Sequence, residues 1–429
     1  MTTKRESPWW WIPTLYFAEG LPYFIVNNIS VLMFKDMGMS NGDLALYTSL
    51  LYLPWVIKPL WSPFVDIIRT KRWWIMAMQT LLALAFAFTA LSLPHRVDVA
   101  AGVPVSAFAL TLVLFYIGAL ASATHDIAAD GYYMIDIDSH RQSLFVGIRS
   151  TFYRIASVFG QGVLVMIAGL LEKRGDIPMA WTITLLICAA LMAAVTIWHS
   201  FFLPKAEQST VREGGAVGIF KELKESILSF FKKKKVWFAL AFMLLYRLPE
   251  AFAVKMLVPF LRDGAAAGGL GLKTETIGFV YGTVGVVALT LGGILGGLYA
   301  GKRGLKKAML PMALSLALPC AVYLYMALAH SSNLWVISAC VALDQFGYGF
   351  GFTAYMLYMI YFSEGRYKTS HYALCTAFMA LSMMLPGMVA GYLQEALGYA
   401  GFFVMVMVCC LATVGVAFAA DVEPEFGKK

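Results

Sequence analysis

Ten ionisable side chains lie inside long apolar stretches of this sequence, where a charge needs a chemical reason. A charge at bilayer depth costs at least about 2.5–3.5 kcal/mol on insertion scales, so such residues typically mark solute or ion pathways. Carboxyl groups can carry protons there, and arginines can bind a carboxylate through two parallel hydrogen bonds. The ten residues are Glu19, Lys58, Asp126, Asp130, Arg149, Arg154, Arg247, Glu250, Lys255 and Asp344.

Asp126 and Asp130 are the strongest candidates for proton transfer. They are four residues apart, which places them on one helix face with Gly118 and Ser122, so this face should contact protein or water. Two carboxylates this close repel each other, and one of them could take and release a proton. Alternatively, the arginines of the next apolar stretch hold both carboxylates ionised as structural latches.

Glu19 and Glu250 are further proton-coupling candidates near the predicted midplane. Glu250 follows Arg247 by three residues, so the two side chains can meet on one helix face. A ligand carboxylate could compete for Arg247 and leave Glu250 free to accept a proton. The alternative is a permanent structural pair.

Four residues are predicted to bind substrate. Arg154 and Arg247 lie near the same depth in opposite halves of the chain, so both could contact the carboxylate of a ligand in a central cavity. Asp344 joins this set because acids on equivalent helices suggest one shared central cavity, and Arg149, at a depth similar to that of Asp126, is also included.

Prolines stand beside two of the buried acids. Pro22 follows Glu19, and Pro249 separates Arg247 from Glu250. A proline inside a helix frees a backbone carbonyl one turn earlier, and broken helices beside charges often mark a transporter site. An ordinary helix bend without a ligand is the alternative interpretation.

Membrane-spanning helices must position these residues. Of the 429 residues, 60% are hydrophobic and only 14% are charged, well below the usual charged share of a soluble domain. Backbone amides in lipid must be bonded internally, so each apolar run is predicted to be a helix, giving an all-α polytopic membrane protein. The twelve predicted spans are 9–34, 43–64, 73–93, 107–134, 142–171, 178–203, 236–262, 274–300, 307–329, 334–362, 369–395 and 399–420.

Basic residues between the spans predict the orientation. With an even number of spans, most Lys and Arg fall on the side that carries both termini, so both termini are predicted to be cytoplasmic. The net charge of +8 therefore reports topology and does not indicate a nucleic-acid partner. The opposite side carries only Lys35, Arg96, Lys173, Arg174, Arg262 and Lys273.

The longest polar stretch divides the chain into two predicted halves. Residues 1–203 and 236–429 each hold six spans, and 204–235 joins them as a cytoplasmic linker. Apolar residues recur at helical spacing in the linker beside a lysine-rich run, which predicts an amphipathic helix on the inner leaflet. A solvated linker helix is the alternative.

Other kinds of chemistry find little support. The six cysteines lie in apolar runs without metal-ligand spacing, so no metal or cofactor is expected. The sequence contains no H-E-x-x-H, G-x-S-x-G or P-loop motif, which argues against an enzyme.

The layout of two six-helix halves with a basic turn after span two resembles the major facilitator superfamily. Within it, the sequence is similar to the muropeptide permease (AmpG) and acetyl-CoA transporter group. The stretches that carry this similarity are Asp126–Gly131 (DIAADG), Phe17–Pro22 (FAEGLP), Lys58–Asp66 (KPLWSPFVD), Tyr246–Ala253 (YRLPEAFA) and Tyr372–Leu374 (YAL).

This resemblance implies a proton-coupled symporter in the inner (cytoplasmic) membrane. Its expected partners are protons, the lipid bilayer and an anionic glycan or glycopeptide from the cell wall, such as an anhydromuropeptide or GlcNAc-anhydroMurNAc. Acetyl-CoA or another organic anion is the alternative cargo, and a non-transporting membrane receptor is the alternative class. His125 stands where the group usually has Gln, which is interpreted as a space-filling change rather than a titrating one.

Overall fold

Helices account for the regular secondary structure throughout the computed structural model, which describes residues 7–95, 102–136, 139–205, 215–424 and 426. No β-strand occurs among these residues. The all-α prediction is therefore confirmed. Part of the predicted linker, 206–214, and both chain ends lie outside the described residues.

Each predicted span coincides with helix to within a few residues. We number these helices α1 to α12 and keep the term linker helix for the one between α6 and α7. They are α1 (Pro8–Asp36), α2 (Asn41–Leu50 and Leu53–Ile67), α3 (Lys71–Leu91), α4 (Ala109–Asp136), α5 (Ser139–Ser157, Val158–Leu164 and Val165–Glu172), α6 (Ile177–Phe202), the linker helix (Gly215–Phe231), α7 (Val236–Leu245 and Leu248–Arg262), α8 (Thr274–Ile277, Gly278–Gly285 and Val286–Arg303), α9 (Leu305–Ala317, Leu318–Cys320 and Ala321–Ala329), α10 (Leu334–Ser363), and α11 and α12, which share Lys368–Ala419.

Nine helices in the described part of the chain are long and apolar enough to cross a membrane by length and composition. The last of them, Lys368–Ala419, holds two helices, because Gly398 adopts φ +66° and bends the chain between α11 and α12. Helices α2 and α10 are not among the nine. The number of twelve transmembrane helices and the division into two halves therefore stay predictions.

Side-chain caps start several helices directly after short turns. The Thr70 hydroxyl accepts a hydrogen bond from the Trp73 amide, and the Asp176 carboxylate accepts one from the Met179 amide. Such caps satisfy amides that a helix N-terminus leaves without an intrahelical partner. Polar residues in the loops thus fix where α3 and α6 begin.

Irregular turns interrupt α1, α5 and α8 near their middles. Each contains a π-helical stretch, at Ile25–Ile29, Val158–Leu164 and Gly278–Gly285. The last two cross each other closely, since a Cβ atom on Gly282 would collide with the backbone carbonyl of Gln161. Glycine is thus required where α5 of one predicted half touches α8 of the other.

The apolar core differs between the two ends of the bundle. We call the end with the predicted cytoplasmic loops the inner end and the opposite one the outer end. Toward the outer end, one cluster joins residues of both predicted halves, such as Leu32 of α1 and Phe260 of α7. Toward the inner end, clusters around Tyr132 and Tyr355 stay separate among the described residues. The halves are therefore packed together at the outer end.

Candidate functional site

Asp126 of α4 pairs with a lysine of α2. The Lys58 Nζ and Asp126 Oδ2 atoms are 3.3 Å apart, and the Trp55 indole N–H donates to the same oxygen, also at 3.3 Å. The arginines of span five were the partners expected from the sequence. The cation partner of Asp126 is instead Lys58, on α2. This bond crosses between helices, so only their packing creates it.

Asp130, one turn further along α4, has a different partner. It forms an ion pair with Arg149 of α5 and accepts a hydrogen bond from the Tyr16 hydroxyl at 3.2 Å. The Arg149 guanidinium also lies over two aromatic rings, 4.1 Å from the centroid of Tyr16 and 4.5 Å from that of Tyr133. The cation–π contacts and the ion pair together fix Arg149 against α1 and α4.

Glu19 completes a group of five charges, which we call the N-half cluster. It interacts electrostatically with Asp126, Asp130, Lys58 and Arg149. Its buried Oε2 atom has no hydrogen-bond partner. Helix α5 packs closely beside it, because a Cβ atom on the neighbouring Gly20 would lie 3.1 Å from Tyr153. The cluster thus holds three carboxyl groups against two cations, one negative charge in excess when all are ionised.

Arg247 and Glu250 of α7 form the corresponding charged group of the second half, which we call the C-half pair. Two hydrogen bonds join them, from Nε to Oε2 at 2.8 Å and from Nη2 to Oε1 at 3.1 Å. Both residues are only 5% exposed. The contact expected from their spacing is therefore present, in the bidentate geometry that makes such pairs strong.

Aromatic side chains of α10 surround the Arg247 guanidinium. Its Nη2 atom donates to the Tyr348 hydroxyl at 2.9 Å, and the rings of Phe352, Tyr348 and Tyr355 lie 4.8, 5.4 and 5.8 Å away. The backbone of α7 is irregular at Arg247, with φ −103° and ψ 10°, just before Pro249. The predicted helix break therefore lies at the charged residue itself.

Arg154 has no carboxylate within ion-pair distance among the described residues. Its one polar contact there is a long hydrogen bond of 3.4 Å to the Thr290 hydroxyl of α8. Tyr348 interacts electrostatically with both Arg154 and Arg247, so the two guanidinium groups lie near the same tyrosine. Of the three arginines predicted to bind substrate, Arg149 pairs with Asp130 and Arg247 with Glu250, so Arg154 is the one without an acid partner among the described residues.

Asp344 lies in different surroundings from the arginines. Its carboxylate accepts hydrogen bonds from the Tyr323 hydroxyl of α9 and from the Gln345 side-chain amide, the latter at 3.0 Å. Asp344 is buried and has no cation partner among the described residues. The structure therefore places it in the packing between α9 and α10, and its predicted role in substrate binding stays a prediction.

A model of the Major Facilitator Superfamily matches residues 14–363 of the sequence. The chain belongs to this superfamily. Its helical fold is similar to solved transporter structures, including the D-xylose–proton symporter (TM-score 0.70, 12% identity, 97% of this chain and 98% of that one). The nucleoside transporter NupG is similar to the same degree (TM-score 0.69, 15% identity, 95% and 97%). These likenesses show the fold alone.

Two relatives by sequence extend over nearly the whole chain. The anhydromuropeptide permease of Escherichia coli is 24% identical over 400 residues, covering 91% of this chain and 74% of that protein. An uncharacterized protein of Haemophilus influenzae is 24% identical over 405 residues, covering 90% and 88%. The expected resemblance to the muropeptide permease group is confirmed. Membership of the superfamily identifies the protein as a transporter.

The sequence analysis missed a set of contacts that closes the outer end of the transporter. Lys35 and Asp36 end α1, and Arg262 and Asp263 end α7. They pair reciprocally, Lys35 with Asp263 at 2.6 Å and Arg262 with Asp36. The sequence contained a signal for these pairs, because a basic residue followed by Asp lies at the end of both spans. This signal is recognised only when the two halves are compared as internal repeats.

Further hydrogen bonds strengthen this outer closure. The Asn41 side-chain amide donates to Gln394 at 2.6 Å and to the Tyr399 hydroxyl at 3.1 Å. Thr274 of α8 donates to Glu172 of α5 at 2.7 Å. All of these bonds join the predicted N-terminal half to the C-terminal half, so the structure is closed at the outer end.

His125 lies in a chain of buried hydrogen bonds within the N-terminal half. Its Nε2 atom is 3.0 Å from the Gln79 amide nitrogen, and the Gln79 oxygen is 3.0 Å from His199, which is 2.8 Å from the Thr14 hydroxyl. No member of the N-half cluster takes part in these bonds. This geometry agrees with the space-filling interpretation of the residue.

Proposed function

We propose that this transporter is a proton-coupled symporter that imports carboxylate-bearing cell-wall fragments, such as anhydromuropeptides or GlcNAc-anhydroMurNAc, across the inner membrane. Both termini would lie in the cytoplasm. The observation that carries the proposal is the excess carboxyl group of the N-half cluster, which gives the protein a place for one proton. The similarity to an anhydromuropeptide permease supports the choice of substrate.

Proton uptake by the N-half cluster would balance its charges. Within the cluster, Glu19, Asp126 and Asp130 are matched by two cations, Lys58 and Arg149, so one bound proton leaves two carboxylates and two cations. A single uncompensated charge is costly inside the bilayer. The protonated, neutral cluster is therefore the form suited to the conformational change that carries substrate across the membrane. Glu19 is the acid we assign to this proton, because its Oε2 atom is buried without a partner.

Substrate recognition falls to the two arginines near Tyr348, Arg154 and Arg247. Arg154 can offer its planar fork to a ligand carboxylate without first breaking an ion pair. Arg247 is already held by Glu250, so a ligand would have to displace that acid. Arg154 is therefore the primary anchor in this proposal, and Arg247 exchanging Glu250 for the ligand is the secondary one.

The closed outer end fits one step of such a cycle. With the predicted orientation, the ion pairs Lys35–Asp263 and Arg262–Asp36 shut the outside entrance, while the apolar cores of the two halves are separate toward the cytoplasm. Import requires these pairs to open and re-form as the halves rock around the site.

Uptake by purified protein in liposomes tests this function. Radiolabelled GlcNAc-anhydroMurNAc should accumulate when the outside is more acidic, and a protonophore should abolish the accumulation. Empty liposomes and the Asp126→Asn variant serve as controls. Chromatography of the recovered label should show an unaltered disaccharide, since the proposal includes no enzymatic step.

Three outcomes would overturn the proposal. Accumulation of acetyl-CoA or another organic anion, but not of the disaccharide, would assign a different cargo. Binding of the disaccharide without accumulation would indicate a receptor. Accumulation that ignores the proton gradient would show that the excess carboxyl group does not couple transport to protons.

A further inference from the structure

A narrow cavity lies between the two predicted halves, on the outer side of the C-half pair. Water-sized molecules can occupy about 20 Å³ of it, which is room for about one water. Helices α1, α2, α7, α8 and α11 contribute to its walls. Among the residues that line it are Asn27, Asn28, Tyr52, Lys255, Tyr281 and Met383.

Lys255 is the charged residue of this cavity, and it lacks an acid partner. It is only 6% exposed, and no carboxylate lies within ion-pair distance of it in the described part of the chain. Its Nζ atom donates to the Thr48 hydroxyl of α2 at 3.1 Å and lies 5.6 Å from the ring of Tyr52. An ammonium group has three N–H donors, so most of its hydrogen-bonding capacity is unused.

Packing around the lysine stem holds the ammonium in place. A Cβ atom on Gly387 of α11 would lie 3.2 Å from the Lys255 Cε atom and would collide with Ser49. The stem therefore runs along a groove that only glycine leaves open. Because Lys255 lies five residues after Glu250, its Cα is roughly 8 Å further along α7, which separates it from the C-half pair.

An amide in the same cavity also has unused capacity. The Asn27 side-chain oxygen is buried and has no hydrogen-bond partner, while its nitrogen donates to the Tyr23 carbonyl at 3.2 Å. Buried polar atoms without partners are uncommon in folded proteins, and ligand sites are one place where they occur. The cavity thus presents a free cation and a free acceptor to whatever enters it.

We propose that this cavity is a second anion subsite of the transported molecule. Lys255 binds a carboxylate of the ligand, and Asn27 accepts a hydrogen bond from a neighbouring hydroxyl or amide N–H. The inference rests on the proposed function, because it assumes that a carboxylate-bearing glycan or glycopeptide is the cargo.

Binding of a charged and a neutral probe in detergent tests the subsite. The probes are anhydro-N-acetylmuramyl-L-alanyl-D-glutamate, which carries two carboxylates, and its bis-amide. We expect the unmodified protein to prefer the acid, and we expect Lys255→Met to reduce that preference about ten-fold or more, since hydrogen bonds to charged groups are the strong ones. Lys368→Met is the matched control: it makes the same substitution at an exposed lysine outside the cavity and should leave the preference unchanged.

Asn27→Asp provides an independent test if Lys255→Met fails to fold. The new carboxylate lies in the same cavity as Lys255 and should compete with the acidic probe, weakening its binding while sparing the bis-amide. Full retention of acid preference in either folded variant would overturn the subsite. If the unmodified protein binds neither probe, the proposed cargo fails instead, so the two failures can be told apart.

Discussion

The N-half cluster and the C-half pair arrange their charges in opposite ways. The cluster collects three acids and two bases from α1, α2, α4 and α5, and one of its acids, Glu19, has no base of its own. The pair holds one acid and one base, three residues apart on α7, joined by two hydrogen bonds and enclosed by aromatic rings. The cluster has unequal numbers of acids and bases and is spread over four helices, whereas the pair has one of each and lies within one helix.

This difference assigns different roles to the two regions. A pair three residues apart on one helix depends little on how the neighbouring helices move, so it suits a substrate site better than a proton switch. Contacts between helices, such as Lys58–Asp126, depend on how the helices pack and can respond to their movement. We therefore place proton coupling in the N-half cluster and regard the C-half pair as support for a substrate site.

The largest effect is expected from Asp126→Asn. Removing this acid leaves two carboxylates and two cations in the cluster, so that no proton is needed for balance and gradient-driven accumulation should fall to background. Folding and membrane insertion should persist, because asparagine keeps the shape of the side chain. Uptake into proteoliposomes measures the accumulation. The control is Glu364→Gln, which removes an acid from an exposed ion pair with Lys368. Normal accumulation by Asp126→Asn would contradict the assignment.

Glu19→Gln should separate transport from its driving force. The substitution also balances the cluster but leaves both of its ion pairs in place, so substrate exchange between the two sides should remain near normal. Net uptake should no longer follow the proton gradient. Counterflow and gradient-driven uptake, measured on the same liposomes, give the two readings. A variant that still accumulates substrate against its gradient would move the proton to another acid.

Glu250→Gln tests the other side of the comparison. Breaking a buried ion pair by removing one partner typically costs about 3–5 kcal/mol, so thermal unfolding in detergent should begin at a clearly lower temperature. Uptake by the folded fraction should still follow the proton gradient. Loss of the gradient response here, with Glu19→Gln unaffected, would reverse the comparison and favour a ligand that displaces Glu250 from Arg247.

The smallest effect is expected from Arg154→Lys. Lysine keeps the charge but loses the planar fork, so binding of an acidic disaccharide should weaken by about 3- to 10-fold relative to its neutral amide. Arg247→Lys should change this ratio less, because Glu250 already occupies the fork. Calorimetric titration of the two variants with both ligands provides the ratios. An equal loss for acid and amide in Arg154→Lys would exclude a direct carboxylate contact.

Predictions from the sequence succeeded where the relevant physics is local. Hydrophobic runs of sufficient length must become helices in lipid, which is why the predicted spans coincide with the observed helices. The contact between Arg247 and Glu250 follows from three residues of helical rise and rotation. Pro249 likewise predicted a break within α7, which the structure places between Leu245 and Leu248, at Arg247.

Contacts between helices could not be obtained in the same way. Periodicity tells which face of a helix is polar but not which helix it will meet, so Lys58 was not recognised as the partner of Asp126. The reciprocal pairs Lys35–Asp263 and Arg262–Asp36 join residues more than two hundred positions apart in the sequence. Likewise, only the packed structure shows that Glu19 Oε2 lacks a hydrogen-bond partner and that Lys255 lacks an acid partner among the described residues.

The sequence by itself thus determined an all-helical membrane protein with charges inside its apolar stretches, since chain composition and helix geometry suffice for that, and its family resemblance indicated a transporter. The tertiary structure alone decided how those charges are shared: Asp126 with Lys58, Asp130 with Arg149, Arg247 with Glu250, and Glu19 with none. The physical reason is that an ion pair depends on distances of a few ångströms between separate helices. Those distances are set by side-chain packing across the whole bundle.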